Sequence, residues 1–211
     1  PNLRIDHAMR NPHVPPGFWR GVNLNQNAIY LECFIDELAH AAGRDPLAFR
    51  QALMANHPKH LAVLNAVATR VGWGTPPPSG VFRGLCQTHG FGAFVAACAE
   101  VSVSDAGELK IHRIVAATDC GHAVNPQQIE AQVEGSALMG LSMCLPGAAI
   151  TLKDGVVEQG NFGDYAPIRI DEMPKVEVHI VPSAEKPTGI GEPGVPPVAP
   201  AVANAIAAAT G

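Results

Sequence analysis

The sequence predicts an α+β protein with a helical N-terminal third, followed by a mixed sheet with packed helices. Before residue 80, apolar residues recur at helical spacing in three segments; after residue 80 the period changes to two. The chain has 211 residues, of which 47% are hydrophobic, enough to bury a core. We therefore divide it into a mainly helical lobe, residues 1–80, and an α+β lobe, residues 81–211.

Three helices are predicted in the first lobe, after an irregular, turn-rich stretch over residues 1–19. The first helix covers residues 25–42, and Gly43 ends it. The second begins in "RDPLAFRQALM", where Asp45 can cap and Pro46 takes the first turn. The third covers "HPKHLAVLNAVATRVGW" and is apolar along one side.

Strands are predicted from residue 81, with a hairpin at "SDAGE". Gly90 and Gly92 fall inside an expected strand, where either a bulge or close backbone approach to a ligand would explain them. Asn125 can cap a helix whose glycines, Gly135 and Gly140, indicate close packing. A hairpin with "KDG" at its tip, a strand over "KVEVHIVP" and a closing helix from about residue 196 complete the lobe.

Charge and composition exclude several functions. The net charge is −5 and no Lys/Arg cluster occurs, so a nucleic-acid partner is not expected. No apolar run reaches the roughly 18–20 residues that a bilayer-spanning helix needs. The N-terminus is not a signal peptide and lacks an initiator methionine, which suggests a fragment or a processed chain. The compartment stays open between cytoplasm and periplasm.

Cysteine and histidine positions do not indicate a metal centre built from side chains. The five cysteines form no C-x-x-C pair and are predicted to be free, mostly buried thiols. His57 and His60 could share one helix face, but no third ligand is evident. We therefore interpret them as two surface histidines at the start of a helix, and we assign no residue as a metal ligand.

A single carboxylate, Glu192, lies in the Gly/Pro-rich segment "TGIGEPGVPPVAP" just before the closing helix. It can be an acid stabilised by the positive end of that helix. Alternatively, it can be a general base held on a stiff loop. The pattern alone favours the first interpretation.

Two further polar residues occupy stretches that break local rules. Arg20, in "GFWRGVNLNQN", precedes a helix, where a guanidinium and free N–H groups can hold an anion such as a phosphate; an exposed turn is the alternative. Gln132, near Asp119 and Glu134 in sequence, can donate and accept toward a heterocycle. Taken alone, it is better explained as a surface glutamine.

Together these segments resemble a known family. "GFWRGVNLNQNAIYLECFIDELAHAAGRDPLAFR", "DCGHAVNP" with "AQVEG", and "GIGEPGVPPVAPAVANAIAAATG" occur in this order. The chain resembles, over nearly its whole length, the C-terminal portion of the molybdopterin-binding large subunit of the xanthine dehydrogenase/aldehyde oxidase family. Within that family it is similar to the isoquinoline 1-oxidoreductase β subunit.

The resemblance implies roles for four residues. Glu192 matches the active-site base of the family, and this makes the general-base interpretation the favoured one. Gln132 matches a glutamine that hydrogen-bonds the pterin or the oxo group of the metal. Arg20 and Gly191 fall beside the cofactor in relatives. This chain departs from the R-G-x-G of many relatives, because Asn23 stands where the second glycine would be.

The resemblance also implies cofactors and partners. The cofactor would be molybdenum-molybdopterin in its cytosine dinucleotide form, with electrons passing to [2Fe–2S] clusters on a small partner subunit. An N-terminal portion or complementary chain of the large subunit would supply the missing loops, so the isolated chain is expected to be inactive. The expected reaction is hydroxylation of an N-heteroaromatic or aldehyde substrate with water as the oxygen source. The alternative is a non-catalytic C-terminal lobe that acts as a subunit-interaction module.

Overall fold

The computed structural model describes residue 2 and residues 4–211. The three predicted helices are confirmed as α1 (Leu24–Ala41), α2 (Pro46–Leu53) and α3 (Pro58–Val71). Asp45 caps α2 as predicted, since its Oδ1 accepts a hydrogen bond from the Ala48 N–H at 2.8 Å. Gly43 follows α1 with φ +61°, a conformation that ends helices and favours glycine.

The remaining elements confirm a mixed sheet with packed helices. In chain order they are β1 (Phe82–Gly90), β2 (Ala93–Val103), β3 (Leu109–Asp119), α4 (Pro126–Cys144), β4 (Leu152–Lys153), β5 (Val156–Val157), β6 (Lys175–Ile180) and α5 (Val198–Thr210). The main sheet has the order β1-β2-β3-β6; its first three strands are antiparallel, and β6 runs parallel to β3. β4 and β5 form the predicted second hairpin.

The prediction of a bulge at Gly90 or Gly92 is wrong. The register of β1 and β2 runs unbroken to the pair Gly90–Ala93, so Phe91 and Gly92 form a two-residue turn. Both have positive φ, +55° and +82°, as the tight turns of β-hairpins require. The close approach at Gly90 comes from the protein itself, because a Cβ there would lie 2.2 Å from a Leu24 methyl.

Helices cover both faces of the main sheet. On one face, α3 packs into a core with β1, β2 and β3. On the other, α4 and α5 form a second core with the same strands. The centre of β2 has the sequence "VAACA" and is buried on both faces of the sheet. For this reason its residues are all small and apolar and do not alternate with polar ones.

The alanine-rich tail is a helix pressed closely onto β1. A Cβ on Gly84 would lie 2.2 Å from the Ala205 nitrogen and 2.3 Å from the Ala201 oxygen. The buried Asn204 donates from Nδ2 to the Leu85 carbonyl at 2.9 Å. A glycine in the strand and alanines in the helix therefore allow the two backbones to meet, and this contact fixes the helix that follows Glu192.

The two glycines of α4 differ in their surroundings. A Cβ on Gly140 would lie 2.7 Å from the Val198 Cβ, which confirms close packing of α4 against α5. A Cβ on Gly135 would lie 3.8 Å from the Arg20 Nη1, an ordinary contact. The prediction of close packing is therefore wrong for Gly135.

A buried ionic network ties α1 and α2 to the edge of the sheet. Arg50, fully buried, donates to Glu32 Oε2 at 3.0 Å and to Asp36 Oδ1 at 2.7 Å. Glu32 Oε2 also accepts from the Gln87 N–H of edge strand β1 at 3.0 Å. Burial opposes the charge on Arg50, but the two carboxylates outweigh it and raise the pKa of the guanidinium. The network thus anchors the helix whose start carries the site described below.

The five cysteines are free, as predicted, and Cys86, Cys98 and Cys120 are buried. Burial and the nearby Glu100 carboxylate raise the pKa of the Cys98 thiol to about 12. Among the helices of the described residues, none combines the length and apolar character needed to cross a bilayer.

Candidate functional site

The turn that leads into α1 has an unusual backbone. The Val22 N–H donates to the Trp19 carbonyl at 2.8 Å and closes the turn. Gly21 has φ +92° and Val22 has φ +49°. A β-branched residue rarely adopts positive φ, so contacts around the turn must hold Val22 there.

The loop that carries Glu192 is held firmly against α4. Residues 193–197 are buried, and the Val195 N–H donates to the Glu192 carbonyl at 3.0 Å. A Cβ on Gly194 would lie 2.8 Å from the Ser136 Cβ, so only glycine allows this approach. Three prolines, two of them directly before α5, further restrict the backbone. The loop therefore presents Glu192 from a stiff and buried frame.

The Glu192 carboxylate meets the turn before α1. Its Oε2 accepts a hydrogen bond from the Gly21 N–H at 2.9 Å, in a partly buried position. Among the described residues, this is the one hydrogen bond that the carboxylate makes. The start of α5, at Pro197, is not capped by any side-chain hydrogen bond from the described part of the chain. The carboxylate therefore binds an N–H of the turn before α1 and, among the described residues, no N–H at the start of α5.

Arg20 joins α4 to the Glu192 loop. Its Nη2 donates to the Gln132 carbonyl at 3.1 Å and to the Gln132 Oε1 at 3.0 Å, while its Nε donates to the Gly191 carbonyl. Burial lowers the pKa of the Arg20 guanidinium, and the negative charge of Glu192 acts in the opposite direction. The fold therefore brings together all four residues predicted for the site, whose catalytic and cofactor roles stay predictions.

Other residues singled out in the sequence lie outside this network. Asp119 accepts from the Gly121 N–H at 3.0 Å, and Glu134 is exposed on α4. His57 and His89 each place a ring about 6 Å from the ring of His60. In the part of the chain that the structure describes, no three His, Cys, Asp or Glu side chains are arranged to hold a metal ion.

Two participants carried no clear sequence signal. The Gly21 N–H binds Glu192, and Asn25 donates from Nδ2 to the Arg20 carbonyl at 2.8 Å. The sequence indicates free N–H groups beside Arg20 that can hold an anion, but not that Gly21 is the donor or that the anion is the Glu192 carboxylate. Asn25 looked like an ordinary polar residue near the start of a helix.

Comparison with known proteins decides the family. A model of the molybdopterin cofactor-binding domain matches residues 59–174, more than half of the chain. The chain belongs to this family. The matched range contains Gln132 but reaches neither Arg20 nor Glu192.

Similar proteins include two curated relatives that match along this whole chain. One is the membrane-bound aldehyde dehydrogenase [pyrroloquinoline-quinone] of Gluconacetobacter polyoxogenes, 33% identical over 99% of this chain and 29% of its own length. The other is the isoquinoline 1-oxidoreductase subunit beta of Brevundimonas diminuta, 30% identical over 100% of this chain and 27% of its own length. The chain thus spans less than a third of either relative.

A solved structure shows the same fold. The aldehyde oxidoreductase from Desulfovibrio gigas superposes with a TM-score of 0.62, covering 91% of this chain and 39% of that one. The identity is 13%, so this likeness concerns the fold alone. The predicted membership of the molybdopterin-binding family and the predicted fold class are therefore both confirmed.

The chemistry open to the site follows from its geometry. One carboxylate oxygen of Glu192 is bound by a backbone N–H, and among the described residues the other accepts no hydrogen bond. A Cβ on Gly189 or Gly191 would have no neighbour within 4 Å, so the backbone beside Glu192 is open to an approaching group. A fixed carboxylate with one oxygen available, beside a guanidinium and an amide, can take a proton from a bound polar group.

An apolar cavity adjoins the site. Its volume is about 460 Å³, and its mainly apolar lining includes Trp19, Val22, Met143 and Pro196, with Asn25 among its polar members. Val22 and Pro196 each lie within a few residues of the Gly21–Glu192 contact, but Glu192 is not part of the lining. The cavity therefore forms an apolar neighbour of the carboxylate rather than its container.

Proposed function

We propose that this chain is the part of a molybdenum hydroxylase that carries the active-site base, Glu192. The observation that carries the proposal is the contact of the Glu192 carboxylate with the Gly21 N–H, beside the Arg20–Gln132 pair, in a chain of the molybdopterin-binding family. The relatives are named as an aldehyde dehydrogenase and an isoquinoline oxidoreductase. Their names support an aldehyde or N-heteroaromatic substrate, and the apolar cavity suits an aromatic ring.

The residues present suit a pterin cofactor. Gln132 is exposed and offers an amide, Arg20 offers a guanidinium, and Gly191 leaves open space where a side chain would project. Amide and guanidinium donors suit the polar edge of a pterin and its phosphates. We assign these three residues to molybdenum-molybdopterin, in its cytosine dinucleotide form. When bound, this group supplies the two-electron acceptor for hydroxylation, and a [2Fe–2S] partner subunit takes the electrons onward.

The proton-accepting role of Glu192 follows from how it is held. The Gly21 N–H binds one oxygen, and the other accepts no hydrogen bond among the described residues, so it is free to take a proton. The buried loop of residues 193–197 fixes the backbone from which the carboxylate projects, and the hydrogen bond from the Gly21 N–H orients its end. A base fixed before substrate arrives avoids the entropy cost of being oriented during the reaction.

A matched pair of variants in the assembled enzyme tests the base. Glu192→Gln keeps the shape of the side chain but cannot take a proton, so turnover should fall by about 10²–10⁴-fold with molybdenum content unchanged. Glu130→Gln, at an exposed position of α4, is the control and should keep wild-type turnover. Turnover of Glu192→Gln within threefold of wild type would remove Glu192 from the base role.

Elemental analysis tests the cofactor assignment separately. The chain is purified alone and together with the remainder of its large subunit, and the assembled complex should contain molybdenum. Gln132→Ala should reduce the molybdenum content of that complex, whereas Glu130→Gln should not. The Gluconacetobacter relative is named for pyrroloquinoline quinone. A complex that contains this quinone and no molybdenum would contradict the assignment.

A second function, subunit interaction, is supported by the outer face of α1. Its buried residues, Ala28, Glu32, Asp36 and Ala39, face the protein. On the opposite face, four large apolar side chains are 42–72% exposed: Tyr30, Leu31, Phe34 and Leu38. Such a stripe marks an interaction surface. Because the relatives are more than three times as long, we assign its occupant as the remainder of the large subunit.

Co-expression tests this surface. Size-exclusion chromatography should show wild-type chain eluting with the remainder of the subunit, and Phe34→Ser with Leu38→Ser should weaken that association. Leu53→Ser, at an exposed apolar position of α2, is the control and should leave it intact. A folded monomer with no affinity for the remainder would contradict the interaction role. Association that the stripe variants leave intact would place the interface elsewhere.

A further inference from the structure

One peptide unit connects Glu192 to a residue of α1. The Arg20 carbonyl and the Gly21 N–H belong to the same planar peptide and point in opposite directions. The N–H donates to Glu192 Oε2 at 2.9 Å, and the carbonyl accepts from the Asn25 Nδ2 at 2.8 Å. Asn25 therefore holds one end of the peptide whose other end holds the carboxylate.

The side-chain amide of Asn25 also packs directly against this peptide. A Cβ on Gly21 would lie 2.2 Å from the Asn25 Oδ1 and 2.9 Å from its Nδ2. Oδ1 is buried, and within the described residues it has no hydrogen-bond partner. The hydrogen bond from Nδ2 to the Arg20 carbonyl is thus the polar contact that orients this amide.

The turn needs such a restraint. Gly21 and Val22 both have positive φ, and for Val22 this conformation is strained. A strained turn persists only when its surroundings hold it. Asn25 lies in the first turn of α1, which the buried Arg50 network anchors, so it restrains the turn from a rigid element.

We propose that Asn25 is a positioning residue for the active site. By fixing the Arg20–Gly21 peptide, it aims the Gly21 N–H at Glu192 and keeps the Arg20 guanidinium in reach of Gln132 and Gly191. This inference rests on the proposed role of Glu192 for its catalytic meaning, but the geometry can be tested without turnover.

Amide hydrogen exchange of Gly21 in the 211-residue chain, followed by NMR, reads out the geometry. Asn25→Ala should accelerate Gly21 exchange about tenfold or more, as Glu192→Ala should, because each removes one end of the restraint. Asn27→Ala is the control, since Asn27 also lies in the first turn of α1 but is exposed and outside the lining of the cavity. Gly21 exchange that Asn25→Ala leaves unchanged would overturn the proposal.

Asn25→Asp separates hydrogen bonding from packing. It has the size of asparagine but, when ionised, cannot donate to the Arg20 carbonyl. Positioning by the hydrogen bond predicts that Asn25→Asp exchanges like Asn25→Ala, whereas wild-type protection in Asn25→Asp would overturn it. If both variants fail to fold, nuclear Overhauser contacts between the Asn25 amide protons and Gly21 Hα in the wild-type chain decide; their absence would overturn the proposal.

Kinetics of the assembled enzyme connect the geometry to function. Asn25→Ala should lower kcat about tenfold or more with molybdenum content near wild type, and Asn27→Ala should lower neither. An Asn25→Ala enzyme with unchanged kcat would overturn the positioning role in catalysis. Failure of the proposed function is distinguishable, because it appears as an active Glu192→Gln enzyme while Gly21 exchange still responds to Asn25.

Discussion

The contact between α5 and the sheet can be tested with a single methyl group. In Gly84→Ala the new Cβ would lie 2.2 Å from the Ala205 nitrogen, 2.3 Å from the Ala201 oxygen and 2.7 Å from the Asn204 carbonyl carbon. All three are backbone atoms, so no side chain can rotate away. Either α5 or β1 must move, and α5 directly follows the loop that carries Glu192.

The expected cost combines three effects. Overpacking of a well-packed core costs about 1–3 kcal/mol, and here backbone lies on both sides of the clash. Separation of α5 from β1 weakens the Asn204–Leu85 hydrogen bond, which contributes about 1 kcal/mol. Alanine leaves the unfolded chain less conformational freedom than glycine does, and this offsets about 0.4–1 kcal/mol of the loss. We therefore expect Gly84→Ala to lower the free energy of unfolding by about 1–3.5 kcal/mol.

Urea unfolding followed by circular dichroism measures this loss. Gly84→Ala should shift the midpoint to lower urea with an unchanged slope. Gly74→Ala is the matched control, because a Cβ on Gly74 has no neighbour within 4 Å and its φ is not positive. That variant should stay within about 1 kcal/mol of wild type. A Gly84→Ala chain as stable as the Gly74→Ala chain would refute the close contact of α5 with β1.

Three further changes have defined outcomes. Arg50→Met should cost about 3–5 kcal/mol in urea unfolding, because it leaves the Glu32 and Asp36 carboxylates buried without their partner; a loss below about 1 kcal/mol would argue against the network. Burial and the nearby histidine charges lower the pKa of His60 in the folded chain. Below about pH 6.5 the unfolded chain therefore protonates His60 more readily than the folded chain does, and stability decreases as the pH falls. His60→Gln should remove that part of the acid sensitivity between pH 7.5 and 5.5, and an unchanged pH dependence would contradict it. Val22→Gly should raise the unfolding free energy by about 1 kcal/mol by releasing a positive φ, and a less stable variant would contradict the strained turn.

Local signals explain why most elements could be predicted. Asp45 and Asn125 each precede a proline in the first helical turn, and both cap as predicted. Asp154–Gly155 is a common pair for a tight hairpin, and that hairpin forms. Phe91–Gly92 makes the same kind of turn without the usual signal, because phenylalanine seldom takes positive φ. The sequence therefore suggests a bulge or a close approach to a ligand where a turn occurs.

The site was harder to predict because its contacts join distant parts of the chain. Arg20 lies 112 residues from Gln132 and 171 residues from Gly191 along the sequence. Taken singly, Arg20 and Gln132 were also explained as surface residues, and only the order of motifs suggested a common site. Neither the Gly21 N–H nor the side chain of Asn25 could be identified from pattern, because their roles depend on the orientation of one peptide.

Single-turnover reduction of the assembled enzyme by substrate, without oxygen and at equal molybdenum content, tests most directly whether Glu192 is the base. Reduction should be about 10²–10⁴-fold slower in Glu192→Gln than in wild type, while Glu130→Gln should match wild type. Reduction of Glu192→Gln at the wild-type rate would show that the carboxylate held by Gly21 takes no part in the chemical step.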